Sequence, residues 1–260
     1  MLKDHATAWV AEGRPAVLVT VAEAKGSVPR DAGTRMVVSA GECLGTVGGG
    51  HLEWQAIATA REMLAAGRVV PHTVAQALGP SLGQCCGGVV TLAFAPLDAV
   101  ALAAWTPQPR FHLQLYGAGH VGRAVARLLA TLDVTVDWID EREDEFPPGP
   151  GSAHIRRIAV DAVEAEVAQA PPDAFYLVLT HRHDLDERIA EAILRRGDFA
   201  FFGMIGSKTK RQKFIRRFEQ RGVPAEAIGR MTCPIGIEGI TGKEPEVIAV
   251  GVVAQLLRQP

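Results

Sequence analysis

Hydrophobic and polar positions along this chain follow two periods, and the places where one gives way to the other outline its elements. Apolar residues recur at helical spacing over 2–12, then the run Ala16-Val17-Leu18-Val19-Thr20-Val21 follows, so the opening reads as helix then strand. Met36-Val37-Val38-Ser39 is a second strand, Gly41-Glu42 suits a tight turn, and Cys43-Leu44-Gly45-Thr46-Val47 returns beside it. Gly48, Gly49 and Gly50 end that ladder, and Leu52, Ile57, Ala60 and Leu64 lie near one face of a helix over 52–66 that Gly67 is placed to stop. A loop from Leu78 leads to a strand over 89–94. Beyond it, Pro96, Pro107 and Pro109 surround an apolar segment at 98–105, which marks a boundary.

From there strand and helix patterns alternate. Apolar runs at 111–116, 134–139, 155–160, 175–179 and 199–205 are separated by helical stretches, and a last apolar helix runs over 245–257. Alternation of this kind predicts an open, mainly parallel sheet with helices on its faces. The expected fold is α/β: a C-terminal Rossmann-like open parallel sheet at 111–260, preceded by a smaller α+β N-terminal domain at 1–95 and a linker at 96–110.

Composition narrows the partners. With 48% hydrophobic and 22% charged residues in 260, and a net charge of −2, the chain has no global attraction to nucleic acid or to an anionic membrane. It opens with no leader-like pattern and holds no uninterrupted apolar stretch of about 18 residues, which predicts a cytoplasmic protein with reduced thiols. Cys85 and Cys86 are adjacent, a spacing that closes a strained ring as a disulfide, so the pair reads either as buried packing or as a soft ligand.

Several polar motifs could carry chemistry. Gly48, Gly49 and Gly50 precede a helix, where free amides suit an anion or where the glycines only make a tight turn. Gly117, Gly119 and Gly122 follow a strand and open a helix in the dinucleotide-binding pattern, and Asp140 lies 18 residues after Gly122, near the offset of a ribose-binding acid. An NAD(P)-dependent oxidoreductase is therefore an alternative function. His181 and His183 stand in a run, 180–186, similar to the metal motif of metallo-β-lactamase-like hydrolases, but Glu187 stands where that motif needs histidine. The competing reading is a polar loop with Asp184 as N-cap of the next helix. Six basic residues occupy 208–217, and Ser207, Lys208 and Lys210 at the start of that helix are candidate phosphate donors on an otherwise solvated face.

Taken together, Gly26-Ser27-Val28-Pro29-Arg30, Gly45-Thr46-Val47-Gly48-Gly49-Gly50-His51-Leu52-Glu53, Gly83-Gln84-Cys85-Cys86-Gly87-Gly88, Gly117-Ala118-Gly119-His120-Val121-Gly122 and Gly206-Ser207-Lys208-Thr209-Lys210 resemble the XdhC/CoxI family. Cys233-Pro234-Ile235-Gly236 and Gly242-Lys243-Glu244-Pro245 extend the likeness over nearly the whole chain. The resemblance implies a non-catalytic chaperone that binds the molybdenum cofactor as molybdopterin, supports its sulfuration by a cysteine desulfurase and inserts it into apo xanthine dehydrogenase. It leaves room for a bound nucleotide and for a homo-oligomer. Cys85 then becomes a candidate molybdenum ligand, with Gln84 and Cys86 beside it, while the glycine turns, His181, Ser207 and Lys208 become candidate contacts to the cofactor.

Overall fold

The computed structural model describes residues 2–79, 87–106 and 109–259, and the chain divides into two compact units, Leu2–Pro107 and Gln108–Pro260. The first unit contains α1 (Leu2–Ala11), β1 (Ala16–Lys25), β2 (Arg35–Ser39), β3 (Cys43–Gly45), α2 (Gly50–Ala65), β4 (His72–Ala77), β5 (Val89–Pro96) and α3 (Ala99–Ala104). Its sheet is antiparallel in the order β3-β2-β1-β5-β4. β1 is its middle strand and is covered on both faces, which is why its start reads as a continuous apolar run. Val17, Val19 and Val21 pack toward Leu52, Ala56 and Ala60, one stripe of α2. Ala16 and Leu18 face the other way, onto Ala6 and Trp9 of α1.

The segment read as a linker carries structure. β5 extends to Pro96, the Asp98 carboxylate accepts a hydrogen bond from the Ala101 amide at 2.8 Å to start α3, and Leu97 and Trp105 are buried in the cluster under α1. β4 carried no clear sequence signal, because His72-Thr73-Val74-Ala75-Gln76-Ala77 forms an edge strand that is largely exposed.

The second unit contains β6 (His112–Tyr116), α4 (His120–Leu129), β7 (Thr135–Asp140), β8 (Ile155–Ala159), β9 (Phe175–Val178), α5 (His183–Arg196), β10 (Phe201–Met204), α6 (Lys208–Gln220), α7 (Ala225–Gly229), β11 (Met231–Thr232) and α8 (Pro245–Leu257). Six parallel strands run in the order β11-β10-β9-β6-β7-β8. The connections reverse direction between β6 and β9, which opens a crevice outside their carboxyl ends. α4 and α8 cover one face through Val125, Leu129, Val252 and Leu256, and α5 and α6 cover the other through Ile189, Ile193, Phe214 and Phe218.

One polar group within this sheet sets an acid limit. Asp137 on β7 is buried, which works to raise its carboxyl, but His112 at 3.4 Å and the Arg156 guanidinium at 2.8 and 3.0 Å outweigh burial and hold it at about 2. A depressed carboxylate contributes stability above its unfolded value and loses it as the pH falls through the folded one. The stability gap between the parent and Asp137→Asn should therefore shrink by about 2 kcal/mol between pH 5 and pH 2, read from urea midpoints.

Candidate functional site

In the first unit, three sequence motifs meet. Gly48, Gly49 and Gly50 have φ of 135°, 74° and 60°, a backbone path that side chains rarely allow, and it aims amides inward at the start of α2. The anion that fills this concavity belongs to the chain. The Glu53 carboxylate accepts hydrogen bonds from the Val47 amide at 3.1 Å, the Gly49 amide at 3.2 Å and the Thr46 hydroxyl. Thr46 Oγ1 in turn accepts from the Gly48 amide at 3.1 Å. As folded, the nest expected to take a ligand's anion is satisfied by Glu53.

A methyl group on Gly48 would lie 2.4 Å from Pro29 Cγ, so the loop 26–30 presses against the glycine run. The other side of that loop receives Gly88, where an added methyl would meet the Lys25 and Ser27 carbonyls at 2.5 and 2.6 Å and Val28 Cγ1 at 2.7 Å. Leu78 donates its amide to the Gly88 carbonyl at 2.8 Å, and the chain between them carries the cysteines. Gln84, Cys85 and Cys86 lie outside the described residues. Gly88, two residues along the chain from Cys86, lies beside Val28.

In the second unit the dinucleotide turn is also closed from within. A Cβ on Gly122 would fall 1.9 Å from the Gly117 carbonyl oxygen, so α4 enters directly against the turn. Gly117, at φ 115°, is also tight, a Cβ there falling 2.5 Å from the Leu179 carbonyl oxygen. Gly119 is the N-cap of α4 and has open space around it. Asp140, expected to face a ribose, is turned inward. Its Oδ1 accepts from the Arg142 amide and Nε, both at 2.9 Å, and its Oδ2 accepts from the Ala118 amide at 2.6 Å and Arg142 Nη2 at 3.0 Å. Two bonds to each oxygen fill the carboxylate's acceptor capacity, leaving none for a ribose hydroxyl. Burial works to raise the Asp140 carboxyl, yet the bonds from Arg142 and the Ala118 amide prevail and hold it below the usual carboxylate range.

Above the same edge, His181 stands 3.7 Å from Glu141, and Arg182 Nη1 lies 3.4 Å from the same oxygen. The helix after them begins differently from expectation: Arg182 is the N-cap of α5, and Asp184 lies in its first turn, paired with Arg182 at 2.5 Å. The aspartate is paired with that guanidinium, and the N-cap position itself makes no side-chain hydrogen bond to the helix. Among the described residues no group of three His, Cys, Asp or Glu side chains could hold a metal ion, so the histidines lack the remaining ligands of a hydrolase centre.

Between α5 and α6 is a cleft of about 740 Å³. Its floor is Asp186, 1% exposed, whose carboxylate accepts from Lys210 Nζ at 2.5 Å, the Thr180 hydroxyl at 2.6 Å and the Thr180 amide at 3.2 Å. Lys210 also donates to the Ile205 carbonyl at 3.0 Å, so it is committed to the fold. Ser207 caps α6 by accepting the Lys210 amide at 3.1 Å, and its hydroxyl lines the cleft. Lys208 and Lys213 are both exposed, but only Lys213, five residues further along α6, lines it. Cys233 Sγ would sit 3.1 Å from a methyl on Gly206, and burial pushes this thiol up, away from the reactive thiolate. Glu53, Arg142 and Asp186 were not evident from sequence, because pattern alone does not say which charged side chains turn inward, and nothing in the sequence separates the exposed Lys213 from the other basic residues of its helix.

An α/β sheet of this order, with a glycine turn held shut by its own carboxylate, defines a Rossmann-type unit built on a dinucleotide fold. Residues 113–256 match the XdhC Rossmann domain, and residues 9–74 match the XdhC and CoxI family. The chain belongs to that family. YqeB of Escherichia coli (strain K12), an uncharacterized protein, is 30% identical in an alignment of 254 residues that covers 94% of this chain and 43% of YqeB. The chain thus spans less than half of that relative's length. Its fold is similar to the crystal structure of a xanthine dehydrogenase from Bacillus halodurans, with a TM-score of 0.77 and 19% identity over 99% of this chain and 95% of the other. No helix among the described residues is long and apolar enough to cross a membrane.

Proposed function

We propose that this protein acts in xanthine dehydrogenase maturation, as a non-catalytic carrier that holds the molybdenum cofactor, keeps it available for sulfuration by a cysteine desulfurase, and passes it to the apo-enzyme. Membership of the XdhC and CoxI family supports the general role. The observation that carries the finer reading is the convergence, in the first unit, of the 26–30 loop, the 48–50 glycine run and Gly88, two residues after Cys86. A dithiolene-bound molybdenum is a soft centre, and a thiolate from Cys85 or Cys86 is the soft donor that suits it. Holding and releasing cargo needs no acid or base, and the reading leaves Glu53 and Asp140 to their backbone contacts.

Loading the purified full chain with molybdenum cofactor, then measuring retained molybdenum and pterin and the activity regained by apo xanthine dehydrogenase, tests this reading. Parent protein should retain both and restore activity, and Cys85→Ala or Cys86→Ala should weaken retention by about tenfold. Parent-like retention in both variants would remove the thiolate role. A parent that retains nothing and restores nothing would remove the function.

A further inference from the structure

The cleft between α5 and α6 has a charge balance that the cargo reading does not use. Each carboxylate at or behind it is already answered: Asp184 by Arg182, Asp186 by Lys210, and Glu187 by Arg217 and by Arg221 at 2.8 Å. Lys213 is the exception among the cations on the lining, having no hydrogen-bond or ion-pair partner among the described residues. His183 and Thr209, also on the lining, are likewise unpartnered there. The Ser207 hydroxyl spends its oxygen on the helix cap and keeps its proton to donate. Ile205 and Phe214 supply an apolar wall beside these donors.

We propose that this cleft is a binding site for a phosphorylated small molecule, with Lys213 as the charged contact to its phosphate and Ser207, Thr209 and His183 as the surrounding polar groups. The surplus charge selects an anion. An ammonium with hydroxyl and imidazole groups around it suits an oxyanion approached from several sides, and the Arg217 guanidinium, which could serve phosphate or carboxylate alike, is turned to Glu187. The volume is that of a site for a nucleotide-sized ligand, and the apolar wall accommodates its organic part. The phosphate donor is thereby moved from Lys208 to Lys213, one of the residues that line the cleft.

A phosphate group could come from a free nucleotide or from the cargo itself, and the second source rests on the function proposed above. AMP and inorganic pyrophosphate are titrated calorimetrically into the full-length parent, Lys213→Ala and Lys208→Ala. Both probes should bind the parent, Lys213→Ala should weaken them by about tenfold or more, as loss of one charge-assisted hydrogen bond does, and Lys208→Ala should stay within about twofold. No binding to the parent up to about 10 mM, parent-like affinity in Lys213→Ala, or an equal loss in both variants overturns the site. The same variants are then loaded with molybdenum cofactor. If Lys213→Ala loses both AMP and cargo, the phosphate is the cargo's; if it loses AMP and keeps cargo, the ligand is a separate molecule. A parent that binds AMP but no cofactor upholds the cleft and rejects the carrier function.

Discussion

Gly122→Ala is expected to destabilise the Rossmann unit by about 3 kcal/mol, because the added methyl has nowhere to go. It would lie 1.9 Å from the Gly117 oxygen and 2.9 Å from the Gly117 carbonyl carbon, both backbone atoms. That carbonyl cannot swing away cheaply, since it accepts the Trp138 indole N–H at 3.0 Å. Nor can Gly117 retreat, because it already abuts Leu179, and the adjacent Ala118 amide is pinned by Asp140. α4 would have to separate from the turn, taking Val125 and Leu129 out of the core. At roughly 2–4 °C per kcal/mol, calorimetry should show a midpoint lower by about 10 °C. Gly119→Ala is the control: its φ of −68° is open to any residue and nothing lies within 4 Å, so the loss should stay below about 1 kcal/mol. A Gly122→Ala midpoint equal to the parent's would mean the turn is looser than described.

That contrast indicates what a sequence can disclose. Gly117, Gly119 and Gly122 appear alike in a motif, and the motif, with its flanking apolar runs, was sufficient to predict a parallel sheet and the helix after it. α8 begins and ends where its Pro245 start and apolar run place it. The edge strand β4 and the short α3 were missed because their signals depend on neighbours: β4 is held by pairing with β5, and α3 by the Asp98 cap and its packing on α1. The candidate sites were legible as places but not as chemistry. Free amides after a glycine run look the same in sequence whether a ligand or Glu53 fills them, and an acid after β7 looks the same whether it meets a ribose or Arg142. Deciding between them requires knowing which side chains fold back, and this chain folds back a carboxylate at both turns.

The other large effect concerns the floor of the cleft. Lys210→Met should cost about 3–5 kcal/mol, since it leaves the Asp186 carboxylate 1% exposed with only Thr180 to answer its charge. Removing the charge as well should restore most of the loss. In Asp186→Leu combined with Lys210→Met the buried ion is gone, and the Thr180 hydroxyl retains the Arg182 carbonyl at 3.0 Å as acceptor. Urea unfolding of both single variants and the double variant gives the coupling directly, and simple additivity would show that the pair does not act as a unit. Arg217→Ala should cost far less, about 1 kcal/mol, although Glu187 is also buried, because Arg221 still holds that carboxylate at 2.8 Å. The difference lies in redundancy: Glu187 has two cations and Asp186 has one. Lys210 therefore supports the cleft from beneath and is too committed to release its carboxylate for a ligand. The binding charge has to come from a cation that the fold does not need, and on this lining that cation is Lys213.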